Sequence, residues 1–163
     1  MKKVLSICFL FLTCMFVFTG CEQGNSLQTV SFSNITSAGS KDYTIKITFA
    51  DDKRVDNKYY DIQIKADGDK KIKIGKEFSE KKEVGLSNEW KSLTTLLLEE
   101  PDTEQFTKGS DAITLIYIFN VEESVKVTFR AVVGGVEDNA SKKGKIITSA
   151  EECSSEFVVN AVK

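Results

Sequence analysis

Val125-Lys126-Val127-Thr128-Phe129-Arg130-Ala131-Val132-Val133 alternates apolar and polar residues over most of its length. Successive side chains of a β-strand point to opposite faces, so this order separates an apolar face from a polar one. Such alternation is typical of a strand with one face in a hydrophobic core. The stretch therefore predicts an amphipathic strand and a sheet that packs on one side.

The same period of two recurs elsewhere in the chain. Tyr43 to Phe49 and Tyr60 to Ala66 alternate in this way and predict two further strands. Asp67-Gly68 follows the second of them and suits a tight hairpin turn. Three shorter stretches are additional strand candidates: Thr29 to Ile35, Lys71 to Gly75 and Phe157 to Val162.

Ile113 to Phe119 has a different pattern, because it is apolar on both faces. Leu115 and Tyr117 alternate with Ile116 and Ile118. A strand of this kind is expected in the middle of a sheet or beneath a covering element.

One segment has helical spacing. Trp90, Leu93 and Leu97 lie at i, i+3 and i+7 after Asn88, a possible N-cap, and Pro101 follows. We expect a short helix around residues 88–100, with Trp90 on its inner face covering one end of the core. A strand through Thr94 to Leu98 is the alternative, since short apolar runs fit both structures.

Short alternating stretches, turns of Gly, Asn and Asp, and a single proline predict a mainly all-β fold. Residues 125–141 resemble the late strand and following turn of immunoglobulin-like and fibronectin type III modules. That resemblance implies an antiparallel, immunoglobulin-like β-sandwich with one short helix. A lipocalin-like β-barrel is the alternative architecture.

The N-terminus has the layout of an export signal. Met1, Lys2 and Lys3 are followed by an almost wholly apolar run from Val4 to Phe18. A membrane-spanning helix needs roughly 20 apolar residues, so this run is too short to cross a bilayer. We therefore expect a signal peptide over residues 1–20.

Phe18-Thr19-Gly20-Cys21 resembles the lipobox of bacterial lipoproteins, with Phe18 where leucine is usual. The resemblance implies cleavage between Gly20 and Cys21, lipid such as palmitate on Cys21, and attachment of the chain to a membrane of the cell envelope. Glu22 favours the outer membrane by the sorting rule of enteric lipoproteins. Residues 21–27 would be the lipidated cysteine and a polar tether, and residues 28–163 a single β-sandwich domain.

Composition excludes several classes of function. Removing the first 20 of 163 residues leaves 143 and takes away Lys2 and Lys3, so the net charge changes from −2 to −4, which disfavours a nucleic-acid partner. The chain has no histidine, so histidine-based catalytic triads and histidine-ligated metals are excluded. We expect no enzyme activity and no cofactor.

The four cysteines do not form a disulfide framework. Cys8 and Cys14 lie in the signal peptide and Cys21 is assigned to lipid, which leaves Cys153 in the exported domain. We expect Cys153 to be a small packed residue in a chain with no internal disulfide; a disulfide to another molecule is the alternative.

Three sets of residues are weak site candidates. Asp51, Asp52 and Asp56 could supply oxygen ligands to calcium, although Asp is also what turns require. Lys71 and Lys73 could attract an acidic partner or glycan, although lysines are also common on solvated edge strands. Trp90 could be a sugar-stacking platform or a binding anchor if it does not cover the core.

These observations predict a membrane-anchored envelope lipoprotein whose β-sandwich is a non-catalytic binding or structural module. We expect a protein partner, either a host factor or another envelope protein. The alternative is a small-ligand or glycan binder with a lipocalin-like or lectin-like fold.

Overall fold

The computed structural model describes residues 30–50, 59–97, 104–105, 113–139 and 144–163, with backbone alone at 104–105, 135–139 and 144–152. Within these ranges the chain forms strands and one short helix. In chain order they are β1 (Val30–Asn34), β2 (Tyr43–Phe49), β3 (Tyr59–Ala66), β4 (Lys70–Lys76), β5 (Lys82–Leu86), β6 (Lys91–Ser92), α1 (Leu93–Leu97), β7 (Glu104–Gln105), β8 (Ile113–Val121), β9 (Val125–Asn139), β10 (Gly144–Cys153) and β11 (Phe157–Ala161).

The strands form two antiparallel sheets that pack face to face. The five-stranded sheet has the order β1-β2-β8-β4-β5. The other, here called the β9 sheet, has the order β10-β9-β3-β6, with β11 also paired to β9 and β7 also paired to β3. The prediction of an antiparallel all-β sandwich is confirmed.

The lipocalin-like alternative is wrong, because the described strands do not close into a barrel. Strands β1 and β5 end the five-stranded sheet without pairing to the β9 sheet. Alternation of apolar and polar residues is the same in sandwiches and barrels, so the sequence pattern could not separate them.

Strand β9 lies at the centre of the β9 sheet. It pairs with β3 from Val127 to Gly134 on one side, and with β11 and β10 on the other. The predicted inward face is confirmed, since Val127, Phe129 and Ala131 are fully buried in the core, whereas Thr128 and Val132 on the other face are buried too.

The junction between β10 and β11 is joined to β9 by a side chain. The backbone N–H of Ala131 donates to Ser154 Oγ at 2.9 Å, and the N–H of Ser154 donates to the Ala131 carbonyl at 2.9 Å. Hydrogen bonding along this edge of β9 therefore continues where the strand opposite is interrupted.

Strand β8 has the central position that its sequence predicts. It is the middle strand of the five-stranded sheet, between β2 and β4. Tyr117 and Phe119 point into the core, whereas Ile116 and Ile118 are half-buried on the other face.

Aromatic pairs join the two sheets across the core. Phe119 of β8 lies 5.9 Å from Phe129 of β9, measured between ring centroids. Phe49 of β2 meets Tyr60 of β3 edge-on at 5.3 Å. Such pairs contribute about 0.5–1.5 kcal/mol each beyond the burial of their area.

The helix exists, but it is shorter than the expected segment. Helix α1 begins at Leu93, and Ser92 is its N-cap, because Ser92 Oγ accepts the N–H of Thr95 at 3.0 Å. Asn88, the predicted N-cap, instead accepts the N–H of Gly68 in the β3–β4 turn at 2.9 Å. Leu93 and Leu97 enter the core as their spacing predicts.

Removing the Phe129 ring tests whether β9 joins the two sheets. Phe129 is 0% exposed, so Phe129→Ala should leave a cavity and lower the free energy of unfolding by about 3–5 kcal/mol. Urea unfolding of the full chain measures this change. Val158→Ala is the matched control: Val158 is 43% exposed on β11, and a change above about 1 kcal/mol there would contradict the assignment of faces.

Candidate binding surface

Trp90 does not cover the core, so the expectation of an inner-face position is wrong. Helix α1 begins after Trp90, and the indole lies on the outer face of the β9 sheet, where it is half-buried. Lys65 Nζ and Arg130 Cζ each lie 4.2 Å from the centroid of the Trp90 ring. The helical spacing with Leu93 and Leu97 therefore does not reflect a shared helix face.

Strand register places the two cations under the indole. In the β3–β9 pairing, Gln63 is opposite Arg130 and Lys65 is opposite Thr128. Lys65 and Arg130 are consequently diagonal neighbours on the outer face. Strand β6 pairs with Gln63 and Ile64 of β3. Trp90, the residue directly before β6, is thereby placed over Lys65 and Arg130.

Hydrogen bonds hold the cations in place. Arg130 Nε donates to Gln63 Oε1 at 2.8 Å, and Lys65 Nζ donates to Glu156 Oε1 at 3.1 Å. Burial lowers the pKa of Arg130, with the Glu156 charge opposing that shift, and an arginine side chain still remains charged at neutral pH. We call Gln63, Lys65, Trp90, Arg130 and Glu156 the Trp90 cluster.

The Trp90 cluster has the chemistry of a protein-contact site. Cation–π contacts with Lys65 and Arg130 restrict the indole to one orientation. Trp and Arg are over-represented among the residues that dominate protein interfaces. The two cations exceed the single carboxylate of Glu156 by one charge, so the cluster has a net positive charge.

Lys71 and Lys73 each face a carboxylate. Lys71 Nζ lies 2.9 Å from Glu83 Oε1, and Lys73 Nζ lies 3.4 Å from Glu122 Oε1. The hydrogen bond from Lys71 lowers the pKa of Glu83, and the same bond raises the pKa of Lys71. This face is therefore close to electrically neutral. The solvated-edge interpretation required β4 to be an edge strand. It is not one, because β5 lies outside it in the sheet.

Asp61 is a buried carboxyl that the sequence pattern did not single out. It occupies a polar position of β3, and Thr94 Oγ1 of α1 donates to its Oδ1 at 2.9 Å. Burial raises the pKa of Asp61, while hydrogen bonds from Ser92 and Thr94 oppose that rise. The carboxyl therefore connects the helix to the β9 sheet.

Asp42 is a second carboxyl with defined partners. Lys81 Nζ donates to both of its oxygens at 2.7 Å, and Asn120 Nδ2 donates to Oδ1 at 3.0 Å. These hydrogen bonds lower the pKa of Asp42. They connect the start of β2 to β8 and to the β4–β5 turn.

A cleft of mixed polar and apolar surface lies at the end of the sandwich formed by the β1–β2 connection, the β8–β9 turn and the C-terminus. Its volume is about 890 Å³, and its wall includes Thr36, Ser40, Tyr43 and Val162. Tyr43 Oη accepts the N–H of Val162 at 2.8 Å, which fixes the C-terminal segment there. Its wall therefore combines hydroxyl groups with apolar surface from Tyr43, Val121 and Val162.

Several sequence candidates lie outside the described residues: Gly20, Cys21, Asp51, Asp52 and Asp56. Within the described ranges, no group of three or more His, Cys, Asp or Glu residues could hold a metal ion. In the part of the chain that the structure describes, no helix is long and apolar enough to cross a membrane.

Cys153 is buried, as expected of a packed residue. It is also disulfide-bonded, so it is not a free thiol. The expectation of no internal disulfide stays a prediction. Sequence reasoning reached that expectation by assigning each of the other three cysteines to the leader or to lipid.

No protein-family model, curated protein or solved structure matches this chain.

The two carboxyls predict opposite dependences of stability on pH. The pKa of Asp61 is about 3.8 in the unfolded chain and is raised in the folded chain, so the folded chain binds this proton more tightly. The stability that Asp61 contributes therefore falls as pH rises from about 3.8 through the folded pKa. The folded pKa of Asp42 is lowered, so its contribution is present above 3.8 and is lost as pH falls through the folded value.

Urea unfolding of the full chain from pH 3 to 8 measures both dependences. We subtract the unfolding free energy of Asp61→Asn or Asp42→Asn from that of the wild type at each pH. The difference should fall with rising pH for Asp61 and rise with it for Asp42. Equal slopes for the two residues would contradict these assignments. So would a difference that rises with pH for Asp61 or falls with pH for Asp42.

Proposed function

We propose that this chain is a membrane-anchored envelope lipoprotein whose non-catalytic β-sandwich binds another protein through the Trp90 cluster. Support for the anchor is the sequence of residues 1–21. Support for binding is the half-buried Trp90, which contacts two cations on the outer face of the β9 sheet.

Lipid on Cys21 would hold the domain at a membrane surface. Each buried CH₂ group contributes about 0.8 kcal/mol, so a single acyl chain binds reversibly whereas two or three give stable attachment. A domain attached in this way meets its partner at the membrane or in the adjacent space.

The filled interior supports binding on the surface. Large side chains from both sheets, among them Phe49, Tyr60, Tyr117, Phe119 and Phe129, occupy the space between the sheets. A lipocalin-like ligand cavity therefore has no place between the described strands.

The absence of histidine from the whole chain supports a non-catalytic role. The carboxyls with resolved pKa shifts also have structural partners: Asp42 faces Lys81, Asp61 faces Thr94, and Glu83 faces Lys71.

A glycan-binding function is the second candidate, and the cleft of about 890 Å³ is the observation that favours it. Its wall offers both hydroxyl groups and the ring of Tyr43, which suit the polar edges and apolar faces of a sugar. Thr36→Tyr would narrow this cleft while leaving the Trp90 cluster intact. Loss of glycan binding in that variant, with glycan binding retained in Trp90→Ala, would favour this candidate over the first.

Lipid attachment requires the Cys21 sulfur, so Cys21→Ser should abolish incorporation of radiolabelled palmitate into the full chain expressed in bacteria. Cys153→Ser is the matched control and should keep the label. The anchor proposal fails if the wild-type chain takes up no label, or if Cys21→Ser keeps it.

Trp90→Ala should reduce partner capture at least about tenfold, because interface tryptophans commonly contribute 2 kcal/mol or more. Chemical cross-linking on intact cells, followed by isolation of the tagged full chain, measures the yield of each cross-linked protein. Lys71→Ala is the control, since its ammonium already faces Glu83. Equal yields from wild type and Trp90→Ala would exclude the Trp90 cluster as the contact.

A further inference from the structure

Phe78 combines a strained backbone with an exposed ring in the β4–β5 turn. The N–H of Ser79 donates to the Lys76 carbonyl at 3.0 Å, which closes the turn, and Phe78 has a φ of 65°. The left-handed region crowds the Cβ of any residue except glycine, and a bulky side chain is rare there. The ring is 98% exposed, so packing within the molecule does not offset the strain, and residues held in this way are concentrated at functional positions.

The β4–β5 turn lies at the end of the sandwich where β1 begins. Val30, the first residue of β1, is opposite Phe49 of β2, and Phe49 is opposite Ile113, the first residue of β8. Lys76, the last residue of β4, is opposite Tyr117 of β8, and the turn after it continues toward the Ile113 end. Three strand spacings separate β1 from β4, so Val30 and the turn are roughly 15 Å apart across this end of the sheet.

The proposed lipid attachment point is near the same end. Cys21 precedes Val30 by nine residues, which span at most about 30 Å when fully extended. Strand β8 has nine residues and is roughly 30 Å long, which is the distance between the two ends of the sandwich. Only a fully extended chain from Cys21 to Val30 would therefore let the opposite end reach the bilayer. Shorter spans favour the end that contains Val30 and the β4–β5 turn, a step that rests on the proposed lipid at Cys21.

The chemistry of the turn fits a bilayer better than a charged surface. Lys81 Nζ donates to both oxygens of Asp42 at 2.7 Å, and Lys82 Nζ donates to the last carbonyl of α1 at 2.6 Å. These ammonium groups therefore already have partners within the chain, and the apolar ring is the group that the turn presents outward. Hydrocarbon accepts a phenyl ring without a shaped pocket, while the exposed neighbours Glu77 and Glu80 would stay hydrated among the headgroups.

Contact between this end and the bilayer would present the Trp90 cluster away from the membrane. Strand β4 runs from the β3–β4 turn to the β4–β5 turn, so these turns lie at opposite ends of the sandwich. Strand β6 pairs with Ile64, two residues before β3 ends at Ala66 and the β3–β4 turn begins. Trp90, which directly precedes β6, is therefore in the half of the sandwich that is distant from Phe78.

We propose that Phe78 is a membrane-contact residue, whose ring enters the bilayer surface beside the lipid anchor and fixes the orientation of the domain. Two or three acyl chains already give stable attachment, and a single ring adds little to it. The effect of Phe78 is therefore on the orientation of the domain and not on the amount of chain that is bound.

Quenching by brominated lipid tests the contact, because Trp90 is the only tryptophan in the chain. Phe78→Trp is made in a Trp90→Phe background, and the palmitate-labelled chain is isolated from bacterial membranes and placed in vesicles of phosphatidylcholine with brominated acyl chains. The indole at position 78 should lose emission relative to vesicles without bromine. Val162→Trp in the same background is the matched control: Val162 is 64% exposed beside the β8–β9 turn, at the opposite end, and its replacement should keep its emission.

Palmitate-labelled chain with no quenching at position 78, or with equal quenching at positions 78 and 162, would overturn the proposal and leave the anchor intact. A chain that takes up no label would refute the anchor, and this inference with it.

Phe78→Gly separates membrane contact from a structural role. Glycine relieves the left-handed backbone, so the midpoint of thermal unfolding should rise. With Trp90 in place, loss of the phenyl ring should let the domain tilt toward the bilayer, so quenching of Trp90 by the brominated lipid should exceed that in the wild type. Equal quenching of Trp90 in the two chains would overturn the orienting role of Phe78.

Discussion

The inward face of β9 is the constraint on which the rest of the structure depends. This strand pairs on both edges, so its direction and register fix β3 on one side and β10 and β11 on the other. Its inner side chains also meet the five-stranded sheet, most directly where Phe129 faces Phe119. A single alternating strand thus determines sheet order and core contact together.

The outer face of the same strand positions the proposed contact surface. Arg130 points outward because Phe129 and Ala131 point inward, and the pairing with β3 places Lys65 diagonally beside it. Trp90 reaches both cations because β6 extends along β3. Asp61 belongs to the same face, where it holds the helix through Thr94. Packing and candidate function therefore arise from opposite faces of neighbouring strands.

The sequence predicts the fold best where a strand has one buried face. The stretches around Phe129, Ile62 and Ile47 alternate clearly, and each forms a strand with the predicted face inward. Strand β5 was missed because Lys82, Glu83 and Gly85 leave only two apolar residues to carry the pattern. Strand β10 was missed because two register shifts interrupt its pairing with β9, and an irregular register removes the period of two on which the sequence prediction depends.

The candidate surface could not be predicted from the sequence, because it depends on register. No local pattern places Trp90 over Lys65 and Arg130, which are 25 and 40 residues away in the chain. The helical spacing of Trp90 with Leu93 indicated the inner face, which is wrong. The conformation of Phe78 is equally hidden, since a left-handed backbone results from the turn and not from the residue. The resemblance of residues 18–21 to a lipobox, by contrast, is read from a local stretch of sequence, and the lipid attachment that it implies stays a prediction.

The proposed anchor requires the Cys21 sulfur, so a disulfide between Cys21 and Cys153 would exclude it. Once residues 1–20 are removed, Cys21 and Cys153 are the two cysteines left in the chain, and a sulfur in a lipid thioether cannot also form a disulfide. Mass spectrometry of non-reduced peptides from the membrane-isolated chain distinguishes the two states. The account predicts a chain that starts at Cys21 with a diacylglycerol thioether on its sulfur. A peptide in which Cys21 is unmodified, or is joined by a disulfide to Cys153, would contradict it.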